Sequence, residues 1–188
     1  RLESTTDTSK TLPIEISLPT QPVWQQQGFV VFQREYDRTI YPYSVPTVSD
    51  RVDGAFWAAA AKGESEPWQL GLHALRDLDN LSIDVSALKR QGSNEMIGSE
   101  YIDVRQGYVL KASLTTRQGG QYLQIAKPLV GVAPKNLSQG QTRLFWITVH
   151  VPDNAKQGTY LASATVMSQG QRSRSFDLEL TVRPFALQ

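Results

Sequence analysis

The chain has 188 residues, with 19 Lys and Arg against 18 Asp and Glu, two His and no Cys. A formal net charge of +1 and 40% hydrophobic residues are typical of a globular domain and exclude a wholly disordered chain. The charge balance argues against nucleic-acid binding, and the lack of Cys excludes disulfides, cysteine nucleophiles and thiolate metal sites. No apolar run of about eighteen residues occurs, so we predict no membrane span. Because the chain starts with Arg1, we expect it to be part of a longer or processed protein.

Alternation of apolar and polar side chains predicts several strands in the first half of the chain. The pattern occurs at residues 12–18, 29–32, 68–74 and 81–85. Residues 55–62 contain four consecutive alanines, which favour helix. Gly54 and Gly63 confine this segment to about eight residues, which is short for a helix, so we predict a strand there as well.

An irregular stretch at residues 34–53 carries the candidate binding residues. Exposed aromatic rings can stack on the apolar faces of sugars, while neighbouring Arg and Asp side chains supply hydrogen bonds. The sequence therefore predicts a carbohydrate-binding segment formed by Arg34, Tyr36, Asp37, Arg38, Tyr41 and Tyr43. The alternative, which the residue types alone favour, is that these rings fix the loop to the rest of the domain or to another domain. Trp24 and Tyr122 also lie in irregular segments and have the same two interpretations.

The second half of the chain continues the strand pattern. We predict strands at residues 101–105, 108–111, 144–151, 160–166 and 176–182, with the last two joined as a hairpin. Residues 112–141 contain two adjacent glycines and two prolines, and we expect a long functional or packing loop. The rings expected in the core are Trp68, Trp146, Tyr160 and Phe176. About nine strands and almost no helical pattern predict an all-β fold: an Ig-like antiparallel β-sandwich with long irregular loops, formed as one domain by residues 1–188.

The sequence carries no motif of nucleophilic hydrolysis, nucleotide binding or zinc binding. G-x-S-x-G and the Gly-rich phosphate motifs are absent, and the two imidazoles, His73 and His150, are too far apart for a helical zinc pair. We expect both histidines to be structural or solvent-facing, and we predict no metal or cofactor. Glu64 and Glu66 remain as a carboxylate pair, since residues two apart in an extended segment point the same way. A structural role for this pair is favoured over catalysis because it immediately precedes a predicted strand.

Two segments and the C-terminal residues match a known set of motifs. Residues 62–70, KGESEPWQL, are similar to the signature A-x-G-E-x-E-P-x-Q-L. Residues 144–160, LFWITVHVPDNAKQGTY, are similar to W-x-T-V-x-V-P-x-x-A-x-x-G-x-Y, and Val182, Pro184, Phe185 and Leu187 match V-x-P-F-x-L. In this order and spacing, over roughly residues 28–187, the chain resembles the N-terminal β-sandwich domain of glycoside hydrolase 123-like proteins.

In that family the sandwich precedes a (β/α)₈ barrel, which carries the catalytic carboxylates and acts on N-acetylgalactosamine or related sugars. The resemblance implies a non-catalytic accessory domain that supports the downstream barrel of the same chain or contacts a glycan. It also implies a periplasmic or extracellular location. Phe185 and Leu187 follow the last strand and are expected to form an interdomain surface. Two alternatives remain: a self-sufficient carbohydrate-binding module, and a stand-alone hydrolase that uses Glu64 and Glu66.

Overall fold

The computed structural model describes residues 17–52, 54–113, 122–130, 135–171 and 173–186; for residues 108–113 and 122–130 it describes the backbone. The elements in chain order are α1 (Pro22–Gln27), β1 (Phe29–Gln33), β2 (Phe56–Lys62), β3 (Ser65–Ala74), β4 (Ser82–Val85), β5 (Leu88–Arg90), β6 (Met96–Ile97), a 3₁₀-helix (Ser99–Tyr101), β7 (Ile102–Ser113), β8 (Tyr122–Val130), β9 (Thr142–His150), β10 (Gly158–Met167) and β11 (Arg174–Ala186). No helix among these described residues is long and apolar enough to cross a bilayer. The strand predicted at residues 12–18 lies outside them except for its last two positions.

Two sheets form the fold. The first has the strand order β1-β3-β9-β7-β8, and all its neighbouring strands are antiparallel. The second has the order β2-β11-β10-β5-β6, and β4 also pairs with β10. The predicted hairpin is present as β10 and β11, in register from Gly158↔Val182 to Val166↔Arg174. The all-β sandwich prediction is therefore confirmed, with one parallel pair, β2 with β11, that the sequence pattern did not indicate.

The main core lies between the two sheets. Trp68 and Ile147 from the first sheet and Tyr160 and Leu180 from the second are among its fully buried members. The Trp68 indole donates to the carbonyl of Phe56 at 3.2 Å, which joins β3 to β2 across the core. The hydroxyl of Tyr160 likewise donates to a backbone carbonyl, so both large rings are buried with their polar atoms paired. Strand alternation placed both rings correctly.

The region from β7 to β8 differs from the prediction. Residues 102–113 form one continuous strand rather than two, and β8 lies inside the segment predicted as a long loop. Pro128 is tolerated in β8 because this strand is the last in its sheet and the register shifts there, between Gly107↔Leu129 and Val109↔Ala126. Residues 122–130, which include Pro128, therefore form an edge strand, and the prediction of a long functional or packing loop was wrong for this part of the segment.

Two tryptophans also lie elsewhere than expected. Trp24 is buried in α1, which starts with Pro22 and is capped after Gln27 by Gly28, a residue with a φ of +84°. Trp146 lies on the outer face of β9, because Phe145 and the other odd-numbered residues take the inner face. This strand carries bulky apolar side chains at both odd-numbered and even-numbered positions, so alternation alone could not show which of its faces is buried.

Residues 34–52 form a loop that covers part of the outer face of the first sheet. Phe32, Ile40 and Leu144 make a second, smaller apolar cluster beneath it. The Phe32 ring lies over Gly71 so closely that an added Cβ would come within 2.2 Å of it. The irregular segment predicted from the sequence is thus confirmed as a loop packed on the sheet, which leaves both faces of β3 largely buried.

Candidate functional site

A cleft opens at the side of the sandwich, at the point where β1 ends. β1 pairs with β3 from Phe29↔Ala74 to Gln33↔Leu70, and the chain then turns away into the loop. Residues 65–69 of β3 therefore face the loop rather than a strand on this side. The cleft has a volume of about 340 Å³, and its walls include Tyr36, Trp57 and Glu66. It lies between the first sheet and the β2 edge of the second.

Tyr36 forms the loop side of the cleft and is 47% exposed. Its hydroxyl lies 2.8 Å from Glu66 Oε1 and also contacts the carbonyl of Pro67, so its proton is shared between two acceptors on β3. Burial, this hydrogen bond and the charges of Glu66 and Glu35 raise the pKa of Tyr36 well above its ordinary value. The ring centre lies 6.0 Å from that of Trp146. The phenol is therefore held neutral, as a donor to β3.

Glu64 and Glu66 each have a structural partner. Glu64 Oε2 accepts a 2.7 Å hydrogen bond from the N–H of Ala61, across the turn at Gly63, whose φ is +78°. Burial raises the pKa of Glu66; the hydrogen bond from Tyr36 lowers it and the charge of Glu64 raises it, and the pKa stays above its ordinary value. The Glu64 carboxylate thus closes the β2–β3 turn, and the Glu66 carboxylate accepts a hydrogen bond from Tyr36 of the loop.

Trp57 forms the opposite side of the cleft and is 43% exposed on the outward side of β2. Its backbone N–H and C=O are both bound by the side-chain amide of Gln33, at 2.9 and 2.6 Å. Arg51 adds a 3.1 Å hydrogen bond to the carbonyl of Ala55, just before β2. These contacts tie the end of β1 to β2, so two different sheets hold the cleft walls at a fixed separation.

Arg34 lines the cleft from below and is 3% exposed. Its Nε and Nη2 donate to the two carboxylate oxygens of Asp50 at 2.9 and 2.7 Å, and its other N–H groups reach Ser44 and the carbonyls of Thr39 and Val45. Burial alone would raise the pKa of Asp50, but hydrogen bonds from Arg34 and the loop backbone hold it below its ordinary value. All five guanidinium N–H groups are directed at the loop. The predicted sugar contact of Arg34 stays a prediction, and its geometry gives it a positioning role.

The remaining predicted binding residues lie along the loop. Asp37 is exposed, and Arg38 is partly buried with its guanidinium 3.6 Å from the carboxylate of the buried ion pair. The rings of Tyr41 and Tyr43 stack on each other, with centres 5.3 Å apart and planes 6° from parallel. Tyr43 is more than half exposed.

This tyrosine pair is separate from the cleft. Pro42 lies between the two tyrosines in sequence. Its carbonyl accepts a 2.7 Å hydrogen bond from the backbone N–H of Thr142, which pairs with His73 of β3. Tyr36 instead contacts Pro67, six residues away along the same strand. At about 3.3 Å per residue the two anchor points lie roughly 20 Å apart. The structure therefore brings Arg34 and Tyr36 to the cleft, and it places the tyrosine pair beside the other end of β3.

The two histidines lie in different surroundings. His73 is buried, its Nδ1 lies 2.9 Å from Thr142 Oγ1, and burial lowers its pKa. His150 is exposed, with Nδ1 3.1 Å from Ser65 Oγ and its ring stacked beside Tyr101. Among the described residues, no group of three or more His, Asp or Glu side chains is placed to hold a metal ion.

The expected interdomain residues can be located only in part. Phe185 is 54% exposed near the end of β11, where Ala186 pairs with Lys62 of β2. Leu187 lies outside the described residues. The interdomain role of Phe185 and Leu187 therefore stays a prediction.

Sequence reasoning missed Trp57 and Gln33 as parts of the site. The signal for Trp57 was present, because Phe56, Ala58 and Ala60 alternate with it and lie on the buried face of β2. An outward Trp on a strand of alanines indicates an exposed ring. Gln33 gave no comparable signal, since its contact with β2 depends on how the two sheets approach each other.

The sequence matches no family model, and no curated protein matches it. Among solved structures, the fold is similar to part of a family 123 glycoside hydrolase from Clostridium perfringens, a protein studied for glycolipid glycan hydrolysis. The TM-score is 0.72 at 15% identity, and the match covers 85% of this chain and 28% of that chain. AvmM, which catalyses a macrocyclization in alchivemycin A biosynthesis, matches with a TM-score of 0.44 and 11% identity over 86% of this chain and 93% of that chain. A PapD-like domain of human CEP192 matches with a TM-score of 0.37 and 12% identity over 93% of this chain and 96% of that chain.

At these identities the comparisons concern the fold alone. The chain is an all-β sandwich, and it spans less than a third of the length of the hydrolase that it matches.

Proposed function

We propose that this chain is a non-catalytic accessory β-sandwich domain of a glycoside hydrolase 123-like protein, and that it contacts a glycan through the Tyr36–Trp57 cleft. In this proposal the sandwich is the N-terminal part of a longer, periplasmic or extracellular protein whose downstream (β/α)₈ barrel carries out hydrolysis. The observation that carries the placement is the fold likeness, which covers 85% of this chain and 28% of the hydrolase. A sandwich that matches so small a share of an enzyme is best interpreted as one of its supporting domains.

The chemistry of the cleft supports glycan contact. Two half-exposed rings, Tyr36 and Trp57, flank a space of about 340 Å³, and flat rings offer a stacking surface to a sugar. The carboxylates of Glu35 and Glu66 also line it. Of the two lining arginines, Arg34 is neutralised by Asp50, so Arg51 is the cation that stands against these two carboxylates. Acceptors on the walls suit a ligand rich in hydroxyl donors. We therefore expect a neutral sugar rather than an acidic one.

The contacts of the carboxylate pair support a non-catalytic role. Glycoside hydrolysis needs one carboxyl group that protonates the leaving oxygen and a second that attacks or activates water. Here Glu64 is engaged by the backbone of the β2–β3 turn, and Glu66 accepts the Tyr36 hydroxyl. Each carboxylate thus has a structural partner that accounts for its position, and we expect the chain itself to be inert.

An activity assay tests the non-catalytic part of the proposal. The chain is incubated with a panel of nitrophenyl glycosides that includes the N-acetylgalactosaminides, beside Glu64→Gln and Glu66→Gln variants. We expect no release of nitrophenol above the buffer rate from any of the three proteins. Turnover by the wild-type chain that disappears in either variant would favour the stand-alone hydrolase instead.

A binding titration tests the glycan contact. Amide shifts are followed while N-acetylgalactosamine, a galactose–N-acetylgalactosamine disaccharide and a sialylated analogue are added. We expect shifts around Tyr36 and Trp57 with a Kd on the order of 0.1–1 mM, or about −4 to −5.5 kcal/mol, as is usual for a shallow site. Tyr36→Ala and Trp57→Ala should weaken binding roughly tenfold, or about 1.4 kcal/mol. Tyr101→Ala is the matched control, since it removes an exposed ring outside the cleft.

Two results would count against this glycan site. Shifts confined to Tyr41 and Tyr43 would place the sugar contact at the stacked tyrosine pair rather than at the cleft. Binding that is equally weakened by the Tyr101 control would mean that the sugar does not select the cleft.

A further inference from the structure

The side chain of Gln69 lies beneath the loop on the outer face of β3 and is only 5% exposed. Its Nε2 is within hydrogen-bond distance of three backbone carbonyls, those of Glu35 and Arg38 at 3.0 Å and that of Arg34 at 3.3 Å. The backbone carbonyl of Gln69 in turn accepts the N–H of Arg34 at 3.2 Å. One residue of the sheet is thus bonded to both ends of a five-residue segment of the loop.

That segment contains Tyr36 and has little apolar anchoring of its own. Glu35, Tyr36 and Asp37 are all exposed, so their position does not result from burial of apolar side chains. Within the segment, the N–H of Arg38 donates to the carbonyl of Glu35 at 3.0 Å and closes a turn around the tyrosine. The contacts that hold this turn against the sheet include those of Gln69, that of the Tyr36 hydroxyl, and that of the Tyr36 ring with Trp146.

A neutral side chain with two N–H donors suits the position under the turn. A primary amide has two N–H groups, which match the carbonyls of Glu35 and Arg38 at 3.0 Å. The carbonyl of Arg34, at 3.3 Å, shares one of these donors. A glutamate of the same shape would point a negative group at three acceptors. A methionine of similar length would fill the space but would remove the Gln69 donors, so that of the three carbonyls the one of Glu35 would keep the Arg38 N–H.

We propose that Gln69 is a positioning residue of the cleft, which fixes the Tyr36 turn in its ligand-ready position before any sugar arrives. Its effect on sugar affinity rests on the proposed function, whereas its effect on Tyr36 does not. The cleft is then preformed, and a ligand meets an ordered ring without first having to order the loop.

The test compares Gln69→Met and Gln69→Glu with the wild-type chain and with Ile147→Val, a core substitution that lowers stability away from the loop. Two measurements need no ligand: hydrogen exchange of the Arg34 and Arg38 amides, and titration of the Tyr36 phenol. We expect exchange at least tenfold faster in both Gln69 variants, and a phenol pKa that moves down towards the ordinary value of tyrosine. The Ile147→Val control should leave both unchanged. A third measurement, titration with the galactose–N-acetylgalactosamine disaccharide, should give a Kd roughly tenfold weaker in the Gln69 variants alone.

The outcomes separate this inference from the proposed function. If Gln69→Met keeps wild-type exchange and phenol titration, Gln69 only fills space and the inference is wrong. The same conclusion holds if Ile147→Val changes both as much, because the turn would then follow global stability. If the two ligand-free measurements change as expected but no probe binds the wild-type chain, Gln69 positions Tyr36 and the glycan proposal fails. Should Gln69→Glu not fold, the Met variant decides.

Discussion

Replacing Asp50 by alanine should be among the most destabilising single substitutions in the loop. The substitution leaves the Arg34 guanidinium charged, while the side chains of both residues are at most 2% exposed in the native fold. Breaking a buried ion pair by removing one partner costs about 3–5 kcal/mol, because the remaining charge is buried without compensation. In a domain of this size 1 kcal/mol moves the Tm by roughly 2–4 °C, so we expect a loss of about 6–20 °C.

Urea unfolding followed by tryptophan fluorescence, together with calorimetry, measures this loss. The double variant Arg34→Met/Asp50→Leu is the control, because it removes both charges and keeps an apolar side chain at each position. We expect it to be clearly more stable than Asp50→Ala, although the loop carbonyls that Arg34 now bonds would lose their donors. The difference between the two proteins reflects the cost of the unpaired charge, reduced by the cost of the donors that the double variant loses.

The pH dependence of the same difference checks the electrostatic origin. The pKa of Asp50 is held below its ordinary value in the folded chain, so its contribution is fully present above the unfolded pKa of about 3.9. It is lost as the pH falls through the lower pKa of the folded state. The gap in unfolding free energy between wild type and Asp50→Ala should therefore be constant near neutral pH and shrink below about pH 4. A gap under about 1 kcal/mol at pH 7, or one that widens in acid, would refute the reasoning.

Three further substitutions test the packing of the sandwich. Gly71→Ala should cost about 1–3 kcal/mol in urea unfolding, because its Cβ would collide with the Phe32 ring, and a neutral result would mean that the ring moves freely. Tyr160→Phe should cost about 1 kcal/mol through loss of the 2.9 Å hydrogen bond to Lys156, and a loss above about 3 kcal/mol would show that the hydroxyl does more. Phe185→Ser should change the stability of the isolated chain by less than about 0.5 kcal/mol, since the ring is exposed; a clear loss of Tm would place it in the domain's own core.

Strands with clean alternation could be predicted from the sequence. β10 and β11 place apolar side chains at every second residue, because each has one face on the core, and this fixed both the strands and their hairpin. β8 could not be found in the same way. It is an edge strand that contains a proline at a register shift, so its pairing depends on β7 rather than on its own pattern.

The candidate site could be predicted only where a residue type itself carries the signal. Tyr36 stood out as an aromatic residue with charged neighbours in an irregular, polar segment, and the structure places it at the cleft. The roles of Gln33 and Gln69 could not be predicted. Each is defined by backbone groups far away in sequence, at Trp57 and at residues 34–38, which only the folded chain brings within reach.

A loop packed on a sheet must provide partners for the backbone groups that it buries, and here polar side chains meet most of that requirement. Gln69 serves the start of the loop, Arg34 donates to the carbonyls of Thr39 and Val45, and the Thr142 hydroxyl serves the carbonyl of Ser44. None of these three side chains is exposed. Tyr36 and Trp57, by contrast, are half exposed and can be truncated without opening the core. Trp57→Ala therefore tests the proposed ligand contact without disturbing the loop, because only the backbone of Trp57 bonds to Gln33. Tyr36→Ala removes a proposed ligand contact and, in addition, the hydroxyl that bonds the loop to β3.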